Sequence, residues 1–106
     1  MTAGLVLVHH EAPADPIFRA WLEGTYFSAI APMMGVHRIT RLRGSADSPL
    51  GQYLTVLHTD DVGHTLGATG TPEWQALAAE AVARGVSRRT IVPYERLIEV
   101  EFDRGS

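Results

Sequence analysis

Hydrophobic positions in the first third of the chain change from a continuous run to a helical repeat. Residues 4–11 (GLVLVHHE) carry four consecutive apolar residues, which is typical of a strand buried on both faces. Asp15 and Pro16 suit a helix start, because the carboxylate can accept a backbone hydrogen bond and proline lacks the N–H that would go unused there. The pattern predicts a helix from Pro16 to about Ala31, ended by Pro32.

The apolar side of this helix is predicted from its winding of about 100° per residue. Tyr26 falls at the margin of that side, next to Arg19. The side itself comprises Ile17, Phe18, Trp21, Leu22, Thr25 and Ala29.

The rest of the chain predicts three further strands and one further helix. Alternating or apolar runs mark the strands, and Thr71 followed by Pro72 marks a helix start. Pro93 predicts a bulge or an edge in the last strand. The predicted elements are a strand at 36–44, a strand at 52–59 that pairs with it as a hairpin, a glycine-rich loop at 60–70, a helix from Thr71 to Gly85 and a strand from Arg89 to Phe102.

The order β-α-β-β-α-β predicts an α+β, ferredoxin-like βαββαβ sandwich. In that fold a four-stranded antiparallel sheet has two helices on one face, and its first and third strands are central. The other face also carries apolar residues here and must be covered, so we expect a homodimer whose sheets pack face to face. A length of 106 residues predicts a single domain over residues 1–106.

Composition narrows the classes of partner. A net charge of -3 argues against nucleic-acid binding, which requires a basic face. The absence of cysteine excludes disulfides, thiolate catalysis and thiolate metal sites. The N-terminal apolar run is too short for a signal peptide or a membrane span, so we expect a cytoplasmic protein with no membrane partner.

The first helix and the turn after it resemble a known family. Trp21 and the segment PMMGV at residues 32–36 match, without a gap, the EthD-like branch of the dimeric α+β barrel superfamily. That branch often has the pattern Trp-Tyr-x-x-x-His-x-Pro followed by Pro-Gly-Val. Here Leu22 follows the tryptophan, and Tyr26 holds the family's histidine position. The resemblance implies a dimeric α+β barrel and a small-molecule site walled by this helix.

The candidate catalytic residues are Tyr26, His58 and His9. An ordinary tyrosine has a pKa near 10, so Tyr26 suits a hydrogen-bond donor to a carbonyl or enolate oxygen better than a base. His58 ends a central strand and is expected to project between sheet and helices as a base, with His9 as the other candidate. His9 and His10 are adjacent on a strand, so only one of them can enter a given pocket. Each histidine can equally be a hydrogen-bonded core or interface residue.

Aromatic side chains are the candidate walls of an apolar pocket. Core packing is the alternative for each tryptophan, and solvent exposure is the alternative for His64. We expect no cofactor and no bound metal, although a site built from His58, Asp60 or His64 stays open. The candidate substrate-binding residues are Trp21, Phe18, Tyr53, Trp74, Tyr94 and His64.

Three functions follow from this set. The first is a cofactor-independent enzyme that moves a proton on an aromatic, polyketide-like or lactone substrate, as in cyclisation, isomerisation, dehydration or decarboxylation. The second is a cofactor-free monooxygenase of an electron-rich aromatic. The third is a non-catalytic small-molecule-binding or accessory dimer. Fold alone cannot choose among them.

Overall fold

The computed structural model describes residues 2–44 and 52–103. The predicted connection between the second and third strands falls mainly on residues 45–51, which lie outside the described residues. The elements are β1 (Gly4–Glu11), α1 (Pro16–Trp21), a π-helical turn (Leu22–Tyr26), α2 (Phe27–Met34), β2 (Val36–Arg43), β3 (Tyr53–Thr59), α3 (Val62–Ala68), α4 (Pro72–Ala83) and β4 (Ser87–Glu95).

The four strands form one antiparallel sheet in the order β2-β3-β1-β4. The ferredoxin-like fold, the pairing of β2 with β3 and the central positions of β1 and β3 are therefore confirmed. Pro93 lies on β4, an edge strand, where a missing backbone donor is tolerated. Among the described residues, no helix is both long and apolar enough to cross a membrane.

The register between β1 and β3 assigns their side chains to two faces. The pairs Val6–Leu57, Val8–Thr55 and His10–Tyr53 lie on the face that the helices cover. The alternate pairs, Leu5–His58, Leu7–Val56 and His9–Leu54, lie on the opposite face. Two residues that are neighbours along one of these strands therefore lie on opposite faces of the sheet. We call the face without helices, which carries Leu5, Leu7 and His9, the bare face.

The first helix is not α-helical throughout. Its middle turn, Leu22–Tyr26, is a π-helix, and the Phe27 N–H donates to the Leu22 carbonyl five residues earlier. Buried residues recur every four positions, whereas an α-helix drifts by about 40° over four residues. A π turn holds more residues than an α turn and offsets this drift. The buried line consists of Phe18, Leu22, Tyr26, Ile30 and Met34.

The predicted apolar side of this helix is therefore partly wrong. Tyr26 is only 9% exposed, well inside the buried line rather than at its margin. Ile17, by contrast, is 75% exposed, and Thr25 is exposed as well. The α-helical winding assumed from the sequence does not hold across the π turn.

Pro32 does not end the helix, contrary to the prediction. It lies inside α2, three residues before the C-cap Gly35, and its missing N–H removes one backbone hydrogen bond of the last turn. The helix ends at Gly35, whose φ of 66° places it in the left-handed region that favours glycine.

The predicted loop at 60–70 contains a short helix, α3. Asp61 caps it by accepting a hydrogen bond from the His64 N–H at 3.2 Å. Thr65, which is fully buried, donates to the Met34 carbonyl at 2.8 Å and lies 2.8 Å from the Thr59 hydroxyl. The three glycines of this segment favoured a loop, and the helix cap at Asp61 was missed. The buried hydroxyl of Thr65 holds the segment against α2 and β3.

The last strand is shorter than predicted and begins earlier. It starts at Ser87 and stops at Glu95, which pairs with Gly4, the first residue of β1. Beyond that point β1 offers no further partner, so residues 97–102 of the predicted strand do not join the sheet. Several apolar side chains of that segment are exposed: Leu97, Ile98, Val100 and Phe102.

Two isoleucines of the first helix test the buried line. Ile30 is 3% exposed and Ile17 is 75% exposed, so we expect Ile30→Ala to lower the free energy of unfolding by about 2–5 kcal/mol. Ile17→Ala, the matched control, should change it by less than about 0.5 kcal/mol. Urea unfolding followed by circular dichroism measures both. Equal losses in the two variants would contradict the assigned burial.

Candidate functional site

A small pocket lies between the first helix and the covered face of the sheet. Its volume is about 40 Å³, and most of its lining side chains are apolar. By volume it has room for roughly three water molecules. Four lining residues carry polar side chains: His10, Tyr26, Thr55 and Arg89. An apolar cavity with a few convergent polar groups is the usual form of a small-molecule site.

His10 is held deep in the sheet. It is 4% exposed, its Nε2 lies 3.3 Å from the Thr55 hydroxyl, and its ring stacks on Tyr53 at 5.8 Å between centroids. Its buried Nδ1 makes no hydrogen bond of acceptable geometry with the described residues. The pKa of His10 is lowered to about 4, first by burial and then by the charge of Arg41, with the Glu11 backbone partly opposing. The imidazole is therefore neutral at pH 7.

Tyr26 enters the pocket from the end of the π turn. Its ring lies 5.3 Å from that of Trp21 and 6.1 Å from that of Phe27. Burial raises the pKa of Tyr26, and the positive charge of Arg89 partly opposes that rise. The phenol accordingly stays protonated at neutral pH and can donate a hydrogen bond.

Arg89 supplies the pocket's positive charge from β4. Its guanidinium carbon lies 5.3 Å from the centre of the Trp74 ring, in a cation–π contact. Its Nη1 atom is buried and has no hydrogen-bond partner among the described residues. The pocket thus combines a hydroxyl donor, a neutral imidazole and a guanidinium.

The predicted aromatic walls separate into those at the pocket and those beside it. Trp74 lines the pocket, as Tyr26 does. Phe18 is 3% exposed and packs in the core against Trp21, 6.0 Å away, and neither lines the cavity. Tyr53 does not line the cavity. Its ring stacks on that of His10, and the guanidinium carbon of Arg41 lies 4.3 Å from the centre of the Tyr53 ring.

The expectation that His58 projects between sheet and helices is wrong. Leu57 occupies that position, and His58 lies on the bare face, where its Nε2 is 3.1 Å from the Thr40 hydroxyl. Burial, followed by the charge of Arg38, lowers the pKa of His58 there. His9 also lies on the bare face, because strand neighbours alternate. A base beside Tyr26 cannot come from either residue.

The remaining two predicted residues lie elsewhere. Tyr94 pairs with Leu5 in register, is 52% exposed and belongs to the bare face near His58. His64 is exposed on α3, and its ring lies so close to Gly35 that a Cβ atom at residue 35 would be 2.9 Å from it. Neither contributes to the pocket that contains Tyr26.

No group of three histidine or acidic side chains is placed to hold a metal ion anywhere in residues 2–44 and 52–103. The alternative built from His58, Asp60 and His64 therefore has no support from the described part of the chain. The polar groups of the pocket are one hydroxyl donor, one imidazole, one threonine and one guanidinium, so the arrangement suits an oxygen-bearing organic molecule.

Three polar residues of the pocket were missing from the predicted set: His10, Thr55 and Arg89. His10 was recognisable as one of two alternatives, since only one of His9 and His10 could face the helices, but the register decides which. Arg89 begins the last predicted strand and carried no sign of burial. Its position became evident only with the pairing of β4 on β1.

The comparisons with known proteins agree with the fold. No family model matches the chain, and no curated protein matches it. Among solved structures, an ethyl tert-butyl ether D (EthD) family protein from Bacillus halodurans is 19% identical, with a TM-score of 0.56 over 92% of this chain and 100% of the other. A dimeric ferredoxin-like protein of unknown function from Thermobifida fusca is 13% identical, with a TM-score of 0.59 over 91% and 93%.

A third similar structure has a stated activity. SnoaB, a cofactor-independent oxygenase from Streptomyces nogalater, is 16% identical, with a TM-score of 0.57 over 95% of this chain and 97% of the other. Identities this low show the fold alone. The chain has the same ferredoxin-like fold as these proteins. The likeness to an EthD family protein confirms, at the level of fold, the resemblance seen in the first helix.

The lowered pKa of His10 predicts a pH-dependent stability. The unfolded chain, with a histidine pKa near 6.5, binds a proton before the folded chain does, so stability should fall as the pH drops from about 6.5 towards 4. Chemical unfolding at pH 7 and pH 5 measures the change. In His10→Gln the difference between the two pH values should be smaller than in the wild type. An equal difference in both proteins would show that His10 is not the group responsible.

Proposed function

We propose that the protein is a small cofactor-independent enzyme that transfers a proton on an aromatic or polyketide-like molecule bound in the pocket. The observation that carries the proposal is that Tyr26 and the buried His10 line the same apolar pocket. The imidazole of His10 is unprotonated at pH 7 and can accept a proton, as a weaker base than an ordinary histidine because its pKa is lowered. The protonated phenol of Tyr26 is a hydrogen-bond donor. This reading replaces His58 and His9 with His10 and keeps the donor role of Tyr26.

The proton transfer has a simple form. The mechanism requires the tautomer of His10 that carries its proton on Nε2, donates to the Thr55 hydroxyl and leaves the lone pair of Nδ1 for the substrate. Nδ1 takes a proton from a carbon next to a carbonyl. The electron pair of that C–H bond forms the C=C bond of the enolate, and the π pair of the C=O bond moves to the oxygen. Tyr26 donates a hydrogen bond to the enolate oxygen that forms. Return of the proton to another carbon completes an isomerisation and leaves the enzyme unchanged.

The pocket must widen to accept a ring. A volume of about 40 Å³ accommodates only a few atoms. Phe27 and Ile91 line the cavity and are only partly buried, so rotation of these side chains is the least costly way to enlarge it. Met34, a flexible side chain at the inner wall, can adapt to the shape of a ligand.

Oxygenation is a second candidate, favoured by the likeness of fold to the cofactor-independent oxygenase SnoaB. It begins with the same step, since removal of a phenolic or enolic proton makes an electron-rich anion that can react with dioxygen. The two functions differ in their need for oxygen. A requirement for dioxygen together with its consumption would favour the oxygenase.

Two substitutions test the proton transfer with 2-tetralone, an aromatic ketone with acidic carbon-bound protons. In deuterium oxide, under nitrogen, we expect the wild type to accelerate exchange of these protons, measured by NMR. His10→Gln and Tyr26→Phe should each reduce the rate constant about 10²-fold or more, because one loses the base and the other the donor. Tyr94→Phe, on the bare face, is the matched control for Tyr26→Phe.

The contrary outcomes separate the alternatives. Binding of 2-tetralone by the wild type without accelerated exchange would favour the non-catalytic binding role. Exchange that survives both substitutions would exclude this pocket as the active site. Exchange lost in Tyr94→Phe but kept in Tyr26→Phe would return the site to the bare face of the sheet.

We also propose that a second copy of the chain covers the bare sheet face. Apolar side chains from all four strands lie there, and two of them are strongly exposed: Leu42 at 47% and Tyr94 at 52%. Large apolar side chains exposed on one sheet face favour an interface there. The dimeric state of the Thermobifida fusca protein with this fold supports the proposal.

A charge on that face should prevent dimer formation. We expect Leu42→Asp to shift the protein from dimer to monomer in sedimentation equilibrium, because the carboxylate would be buried without a partner. Val82→Asp is the control, since Val82 is 54% exposed on α4, away from this face. Circular dichroism checks that both variants are folded. A wild type that sediments as a monomer would contradict the proposal directly.

A further inference from the structure

The half-buried side chain of Arg89 lines the apolar pocket, and one of its donors has no acceptor in the described chain. Nη1 is buried and has no hydrogen-bond partner among the described residues. The ring face of Trp74 compensates part of the charge, but the indole N–H is a donor and accepts nothing. Buried polar groups are almost always paired, and an unpaired cationic donor is among the costlier exceptions.

The pocket itself offers no counter-charge. None of its lining residues is an aspartate or glutamate. The nearby carboxylate of Glu11 lies 3.5 Å from the exposed neighbour Arg88 and is paired with it. The group that satisfies Arg89 is therefore expected to enter with the ligand.

We propose that Arg89 binds an anionic oxygen of the ligand, so that the site accepts a phenol or enolisable ketone as its conjugate base. This inference rests on the proposed function in using the same pocket and ligand class. It adds a specificity-determining residue and the charge state of the bound molecule. Arg89 and Tyr26 would then donate to the same oxygen, because both line the cavity and the charge of Arg89 acts on the Tyr26 hydroxyl.

The chemistry of the lining limits the ligand. One guanidinium and one phenol hydroxyl can satisfy a single oxygen carrying one negative charge. A phosphate group would need more donors than these. The apolar remainder of the pocket, with the Trp74 ring on one side, suits the flat body of an aromatic molecule.

The probe for this inference is 4-nitrophenol, whose phenol and phenolate differ in visible absorbance. Bound to the wild type, it should ionise at lower pH than it does in free solution. Arg89→Gln should weaken phenolate binding about tenfold to a hundredfold, because a hydrogen bond to a charged group is lost. Arg89→Lys should keep part of the effect, since it keeps the charge but not the geometry.

Two controls distinguish charge recognition from a merely structural role. The methyl ether 4-nitroanisole has the same shape but cannot ionise, so Arg89→Gln should change its affinity less than about twofold. Arg88→Gln removes an equal charge from the adjacent residue, whose side chain is 78% exposed, and should leave phenolate binding unchanged.

The opposing outcomes are specific. Equal affinity of the wild type for phenolate and ether, or no binding of either, would overturn the inference. So would an equal loss of both ligands in Arg89→Gln. These results are independent of 2-tetralone exchange: exchange that depends on His10 while phenolate is not preferred leaves the proton-transfer function standing and removes only the role of Arg89.

Discussion

The register between the two central strands determines the chemistry available to this fold. β1 and β3 carry apolar residues on both faces, so hydrophobicity alone would tolerate a shift of either strand. Hydrogen bonding in the observed register places His10 with the helices and His9 on the bare face. A shift of β1 by one residue would reverse that assignment, and a shift of β3 by one residue would bring His58 to the pocket in place of Leu57. The side chains available in the pocket therefore depend on this pairing.

The pocket residues serve both the packing of the core and the polar chemistry of a site, and these two roles oppose each other. Its apolar walls contribute to the hydrophobic core, through residues such as Leu22 and Leu57. The same walls leave His10 and Arg89 with buried nitrogen atoms that have no partner in the described chain. A core optimised for stability alone would place apolar side chains at both positions. The unpaired groups therefore agree with a site that is completed by a ligand.

Much of the fold was predictable from local signals, whereas the site was predictable only in part. Helix caps at Asp15 and Thr71, and the order of strands and helices, follow from spacing and turn chemistry. Tyr26 was singled out because it holds the histidine position of the EthD-like pattern, and Trp74 because a large aromatic on an apolar helix side lies near the sheet. His10 was ambiguous, since two adjacent histidines differ only in face. The position of Arg89 at the pocket depends on how β4 pairs with β1, and a local sequence pattern carries no information about that pairing.

The π turn lets the first helix hold one residue more than a regular α-helix while it turns nearly the same side chains towards the sheet. Leu22 and Phe27, joined across this turn by a backbone hydrogen bond, are five residues apart instead of the four of an α-helix. Removal of one residue there would restore regular winding, and the segment from Phe27 onwards would keep nearly the same face towards the pocket. Insertions and deletions of one residue at this turn are thus a change in length that proteins of this fold could absorb while keeping both the pocket and the sheet intact.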